Sequence, residues 1–224
     1  MALKRLLALI LCLGLLSFPV RAGGAEKLVA LTFDDGPSGR FTRKLLDGLQ
    51  QRNAQATFFL CGYRMEQYPE LTDRIFREGH EIGFHGYTHK TMKNMCVSQI
   101  RQELEKAKAL LPEECEVSFL RTPGGLTGTC VQTVAKQMGL SILSWSVDPK
   151  DWASNDKKAI EKEVMDHVRD GDVILLHDMS DSSVEAALEI VDALQKQGYC
   201  FVTVSELAAI RNIRLQPGRE YSRF

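Results

Sequence analysis

Two adjacent carboxylates, Asp34 and Asp35, sit in Thr32-Phe33-Asp34-Asp35-Gly36-Pro37, directly after an apolar run from Leu28 to Leu31. Such a run reads as a buried strand, and Gly36-Pro37 ends it with a sharp turn. Where a strand gives way to a turn, neighbouring side chains can face one cavity, so one carboxylate can bind a cation while the other accepts a proton. Alone, Asp-Gly-Pro reads equally well as a turn with a capping aspartate. Downstream, His85-Gly86-Tyr87-Thr88-His89 sets two imidazoles four residues apart, a spacing that brings both to one side of a helical turn or tight loop. With Asp35 they form a two-histidine, one-carboxylate set that leaves positions open on a zinc-like or cobalt-like ion for water and substrate. An isolated HxxxH is more often a pair of capping or hydrogen-bonding histidines.

Three further segments carry groups suited to chemistry. In Arg121-Thr122-Pro123-Gly124-Gly125 the arginine is placed to hold a carboxylate by a forked pair of hydrogen bonds. The Gly-Gly backbone can approach a ligand and donate an N–H to a developing oxyanion. By itself such an arginine is by default half of a surface ion pair. Asp148-Pro149-Lys150-Asp151-Trp152 ends a strand carrying Trp145, and Ile174-Leu175-Leu176-His177-Asp178 ends another. A carboxylate from the previous strand would raise the pKa of His177 and make it a proton donor. Trp152 reads either as core or as the wall of a small apolar pocket. His80 reads as an ordinary turn residue, and His167 as a solvent-facing helix residue without a role.

The elements that must position these groups alternate. Strands are expected at Leu28–Phe33, Ala56–Cys61, Glu81–His85, Val117–Arg121, Leu140–Val147, Val173–His177 and Tyr199–Val204. Helices are expected at Phe41–Gln51, Pro69–Glu78, Val97–Leu111, Thr129–Met138, Lys157–Val168 and Val184–Gln197. Seven strands separated by helices imply parallel pairing through crossovers. The expected fold is therefore α/β, a distorted and incomplete β/α barrel of about seven parallel strands. Barrel sites form at the carboxyl ends of strands. Five of the seven strands end in Asp34 and Asp35, His85 with His89, Arg121, Asp148 with Asp151, and His177 with Asp178. Scattered surface charges would not fall so regularly at one end of a sheet.

Residues 1–22 read as an export signal: Lys4 and Arg5 precede an apolar run from Leu6 to Leu16, and Val20-Arg21-Ala22 offers a cleavage site, with Ala25 the second choice. The run is short for a membrane span, and no cysteine at the cleavage site offers a lipid anchor. A retained anchor is the alternative if cleavage fails. Removing Lys4, Arg5 and Arg21 and no acids takes the charge from 28 minus 29 to 25 minus 29, or -4. A mildly acidic chain of this length is one domain and does not suggest nucleic acid as a partner. Five cysteines remain, Cys61, Cys96, Cys115, Cys130 and Cys200, an odd number without a CxxC pair, which argues against a cysteine-built metal site. Export permits a disulfide or two without assigning them. The stretch 211–224 reads as a basic, loosely held tail.

Taken in order, TFDDGP, HxxxH, RTPGG, DPKDW and LLHD resemble the five motifs of the polysaccharide deacetylases with a NodB homology domain, carbohydrate esterase family 4. The resemblance spans 26–210 and includes GHEIG at Gly79 and FVTVSEL at Phe201. It implies a NodB-like barrel and a metal-dependent N-deacetylase. In it Asp34 is the general base, while Asp35, His85 and His89 hold the metal, zinc first and cobalt second. Arg121 orients Asp34, and the Gly124 N–H faces the oxyanion. Asp151 pairs with the general acid His177, and Trp152 and Leu175 line the acetyl-methyl pocket. The implied partner is an N-acetylated glycan, with peptidoglycan favoured, and chitooligosaccharide deacetylation or acetylxylan ester cleavage as alternatives. With the export signal this implies a secreted or envelope-associated monomer without stable membrane insertion. A glycan-binding protein without turnover is the competing class, disfavoured because Asp34 and His177 are both present. Two positions depart from the family. Gly86 stands where Ser or Thr is common, removing a hydrogen bond expected to steady the histidine loop. Gly124 stands where many members have Tyr, removing an aromatic from the cleft wall.

Overall fold

The computed structural model describes residues 27–224; the expected export signal, 1–22, lies outside them. The chain runs β1 (Lys27–Asp34), α1 (Arg40–Gln51), β2 (Thr57–Leu60), α2 (Gly62–Gln67), α3 (Pro69–Arg77), β3 (Glu81–Phe84), α4 (Val97–Lys108), β4 (Phe119–Leu120), α5 (Thr129–Gln137), β5 (Ser141–Leu143), α6 (Lys157–His167), β6 (Val173–His177), α7 (Asp181–Lys196), β7 (Tyr199–Phe201), α8 (Val204–Ile210) and β8 (Glu220–Tyr221). Short 3-10 turns at Pro123–Gly125 and Asp151–Ala153 lie at site loops.

β1 is the axis of the sheet. All of it but Lys27 is buried, as a parallel strand covered on both faces requires. It pairs in parallel with β6 on one side, Asp34 opposite His177, and with β2, Asp34 opposite Phe59. The order continues β6-β1-β2-β3-β4-β5-β8, with β7 pairing the first half of β1. This is the expected incomplete parallel barrel. Amphipathic helices cover its outside: α1 turns Leu45, Leu46 and Leu49 inward, and α7 turns Ile190, Val191 and Leu194 inward. Burial of each such side chain contributes about 1.5–3 kcal/mol. A second apolar cluster, including Leu28, Phe59, Phe119, Leu143 and Val173, continues into Val204 and Leu207 of α8. α8 starts at a reciprocal cap, Thr203 with Glu206.

The structure corrects one expectation about this frame. The stretch 211–224 is not loosely held. β8 pairs in parallel with β5, Ile142 N–H donates to Arg219 O at 2.8 Å, and Phe224 N–H donates to Gly171 O at 2.9 Å. Arg223 binds the fully buried Asp172 carboxylate at 2.5 Å. The tail thus fills the gap between β5 and β6, which are otherwise joined past the end of β5 by the Val147–Ile174 bridge and by Ser146 bonded to Asp172 and Val173. The basic character of the tail concealed this, because the buried partner of Arg223, Asp172, lies far off in sequence, just before β6.

Candidate active site

The carboxyl ends of the strands bring Asp34, Asp35, His85, His89, Arg121, Asp151 and His177 to one end of the barrel. Asp35, just past β1, and His89, in the loop after β3, both adopt the left-handed region, with φ 72° and 59°. Non-glycine residues held there mark sites where surrounding structure over-determines the backbone. Asp35, His85 and His89 each offer one donor atom, all within 4.8 Å of one another. Asp35 Oδ1 lies 3.2 Å from His85 Nε2 and 2.9 Å from His89 Nε2. Among the described residues this buried Oδ1 atom has no partner of proper hydrogen-bond geometry. The three atoms converge on a shared space instead of pairing, which fits a cation held by two nitrogens and one oxygen.

The tautomer of His85 fits the same reading. Its Nδ1 lies 2.8 Å from Arg121 O; a carbonyl only accepts, so Nδ1 carries the proton and Nε2 keeps its lone pair for the converging space. Burial opposes ionisation of Asp35, but the two neighbouring imidazoles outweigh it and hold the carboxyl far below its usual range. The Asp35 carboxylate in turn raises His89, against its partial burial.

Arg121 is fully buried, and here the structure corrects the sequence reading. The forked pair does not form. Nη1 alone donates to Asp34 Oδ1, at 2.7 Å, and also to Thr32 Oγ1 at 2.8 Å. Nε and Nη2 donate to the carbonyls of Leu143 and Ser144 at 3.2 and 2.9 Å. The guanidinium lies 4.1 Å from the Phe59 ring centre. A buried cation needs every donor satisfied, so Arg121 is shared between one carboxylate oxygen and the end of β5. Thr32 was missed in the sequence. It points to the Asp34 face by strand alternation and donates to Ile174 O at 2.7 Å.

His177 ends β6 beside Asp34. Asp151 Oδ1 accepts from His177 Nδ1, and Asp151 Oδ2 from the His177 backbone N–H, both at 2.8 Å. Burial works against the charged imidazole, but the bond and charge of Asp151, with the charges of Asp34 and Asp35, raise His177 to about 9. Asp178, next in sequence, is fully buried; burial pushes its carboxyl up to about 6, and it accepts from Thr42 Oγ1. Asp148 accepts from Lys150 N–H at 2.9 Å and so closes its own turn.

Trp152 is 68 % exposed, which excludes the core and leaves it on the rim. Leu175 is buried two residues before His177, on the same strand face. At Gly124, φ 71°, an added Cβ would meet nothing within 4 Å, so the wall there is open. His80 accepts from Ala56 N–H at 3.2 Å and is pushed down to about 4 by burial and Arg74. His167 is exposed beside Glu163. Cys61, Cys96, Cys115 and Cys130 are free thiols, and burial with the nearby Asp35 and Asp34 pushes the Cys61 thiol far up. Among the described residues no helix is long and apolar enough to cross a membrane.

The polysaccharide deacetylase family model matches residues 21–143. The chain is 38% identical over 188 residues to a peptidoglycan-N-acetylglucosamine deacetylase of Bacillus cereus, covering 81% of this chain and 88% of that one. It is 35% identical over 192 residues to the peptidoglycan-N-acetylmuramic acid deacetylase PdaC of Bacillus subtilis, covering 84% of this chain but only 40% of PdaC. The structure of a family 4 acetyl xylan esterase from Clostridium thermocellum, in complex with a cobalt ion, superposes with a TM-score of 0.82 at 32% identity, covering 88% of this chain and 98% of that one.

Proposed function

The chain belongs to the polysaccharide deacetylase family, and from that membership we propose that it is a secreted, metal-dependent deacetylase removing the acetyl group from N-acetylglucosamine units of peptidoglycan. The observation that carries the reading is the pairing, at one barrel end, of a converging Asp35–His85–His89 donor set with an Asp151-supported His177. The B. cereus relative, matched over most of its length, favours peptidoglycan. The expected export signal at 1–22 favours action in the cell envelope.

Asp35, His85 and His89 would hold a divalent cation, zinc first and cobalt second. When bound, such an ion supplies Lewis acidity to the acyl oxygen and to water. Asp34, kept in place by Arg121 Nη1, takes the proton of the attacking water. The Gly124 N–H faces the oxyanion. His177, protonated and fixed through Nδ1, gives its Nε2 proton to the departing sugar amine. Leu175 and Trp152 flank the space for the acetyl methyl. Acetate leaves, and the glycan keeps a free amine.

The test is acetate release by residues 23–224 from N-acetylated peptidoglycan, chitooligosaccharides and acetylxylan, before and after chelation and on adding back zinc or cobalt. Release from peptidoglycan that stops on chelation and returns with the ion is expected. Preference for acetylxylan would move the assignment to an esterase. Glycan binding without release by the metal-loaded protein would sink the enzymatic reading.

A further inference from the structure

One carboxylate outside the ligand set is aimed at the loop that joins two of the ligands. Glu103, half-buried on α4, accepts through Oε2 from the N–H groups of Tyr87 and Thr88, at 2.9 and 2.7 Å. The Thr88 hydroxyl lies 3.0 Å from each of its oxygens. On the other side of the same loop, Gly86 O and Tyr87 O accept from the N–H groups of Gly62 and Tyr63 at 2.9 and 3.0 Å. These donors belong to the first turn of α2, where N–H groups have no partner within the helix. The approach is close enough that a Cβ at Gly62 would come within 2.3 Å of the Tyr87 ring.

The segment between His85 and His89 is therefore held from both sides, its carbonyls by α2 and its N–H groups by one anion. It needs holding, because Gly86 and His89 both sit at positive φ and nothing within the loop itself bonds these N–H groups. Both N–H groups aim at the one oxygen, Oε2, so the loop's shape depends on an acceptor at that place. Without Glu103, Tyr87 and Thr88 would turn to water and the spacing of the two imidazoles would relax.

We propose that Glu103 is a positioning residue for the metal-ligand loop: its carboxylate fixes His85 relative to His89 and so sets how tightly the site holds its cation. This supplies from α4 the steadying that a hydroxyl at residue 86 would have given. The inference rests on reading Asp35, His85 and His89 as metal ligands, so its test reads metal binding and not turnover.

Zinc affinity of the metal-free protein is measured by competition with a chelator, alongside its thermal unfolding, for Glu103→Ala, Glu103→Asp and Glu103→Gln. Loss of a direct outer partner of a metal ligand typically weakens binding by about 10–100-fold; Glu103 holds the backbone between two of them, so the low end, about 10-fold, is expected for Ala. Asp keeps the charge but falls one methylene short, so it should bind as weakly as Ala. Gln loses the charge but keeps an acceptor in reach, so it should stay within about fivefold of wild type, since the two N–H bonds survive. Should Ala fail to fold, the Asp and Gln variants still decide. Asp tight and Gln weak would show that charge rather than position matters, and would overturn the proposal. So would wild-type affinity in both Ala and Asp. No zinc binding by the wild type would instead end the metal reading beneath it.

Discussion

His85 and His177 stand at the carboxyl ends of two strands of the same sheet, and both engage Nδ1, yet their surroundings prepare them for different work. His85 donates its Nδ1–H to a backbone carbonyl, that of Arg121, and keeps the proton. A carbonyl fixes the tautomer and leaves Nε2 with a lone pair to offer. His177 meets the Asp151 carboxylate instead, which also accepts from the His177 backbone N–H. That anion favours the imidazolium, and His177 rises to about 9 against its burial. On the proposed roles, the acceptor behind the ring, more than the ring's position in the fold, suits the far nitrogen of His85 to ligation and that of His177 to proton donation.

The widest break in this comparison comes from replacing each ring by glutamine. His85→Gln is expected to lose zinc binding and to lower acetate release by at least about 10³-fold, the equivalent of several kcal/mol of metal-derived stabilisation. His177→Gln is expected to lower release by about 10²–10⁴-fold, the range for a general acid, while zinc affinity stays within about threefold because His177 is not in the donor set. Calorimetric zinc titration beside an acetate assay separates the two. Loss of zinc binding in His177→Gln would erase the distinction.

A smaller effect sharpens the comparison through Asp151. A raised His177 pKa means that the protonated form, and the stability its ion pair adds, is fully present below the ordinary histidine value and lost as pH climbs through about 9. A bound dication offsets the charge of Asp35, so the alkaline limb of the loaded enzyme should lie below 9. Asp151→Asn removes the leading stabilising cause, and the limb should fall toward the ordinary value of about 6.5. For a fall from about 9 to about 6.5 the protonated fraction at pH 8 drops by about 30-fold, and by much less at pH 6. A pH–rate profile whose alkaline limb does not move would remove Asp151 from the role of proton-holding partner.

How legible all this was depends on whether a residue's purpose lies near it in sequence. Asp34, Asp35, His85 and His177 were visible because they end apolar runs, whose strand ends in a parallel barrel share one face, and His89 because it stands four residues after His85. The long helices were visible from their period. α2 and α8 were not, since each spans at most seven residues, too few for a clear repeat. The fork expected of Arg121 failed because the carbonyls of Leu143 and Ser144, in another strand's turn, claim its other donors. Nothing in the sequence singles out Glu103, and Arg223 stood only within a basic tail, for their partners are distant in sequence and sit on other elements.

The smallest expected effect concerns Gly86, where the histidine loop departs from a common family residue. At φ 81° a side chain is unfavourable in itself, and a Cβ there would come within 2.8 Å of Met92 Cε and 3.4 Å of Glu103 Oε2. Met92 is fully buried, but the contacted atom is the end of a flexible side chain that can shift, so the positive φ carries most of the cost. Gly86→Ser should therefore cost about 1–2 kcal/mol of stability, the usual penalty for a Cβ in the left-handed region. It should not tighten zinc binding, since Glu103 already takes the loop's N–H groups. Thermal unfolding and zinc competition on this one variant decide between two accounts of the metal side. If serine tightened binding at little cost in stability, the loop would be short of a hydrogen bond after all. Loss of stability with unchanged affinity would mean that the chain reached the same imidazole geometry by another route, with a carboxylate on α4 replacing a hydroxyl beside His85.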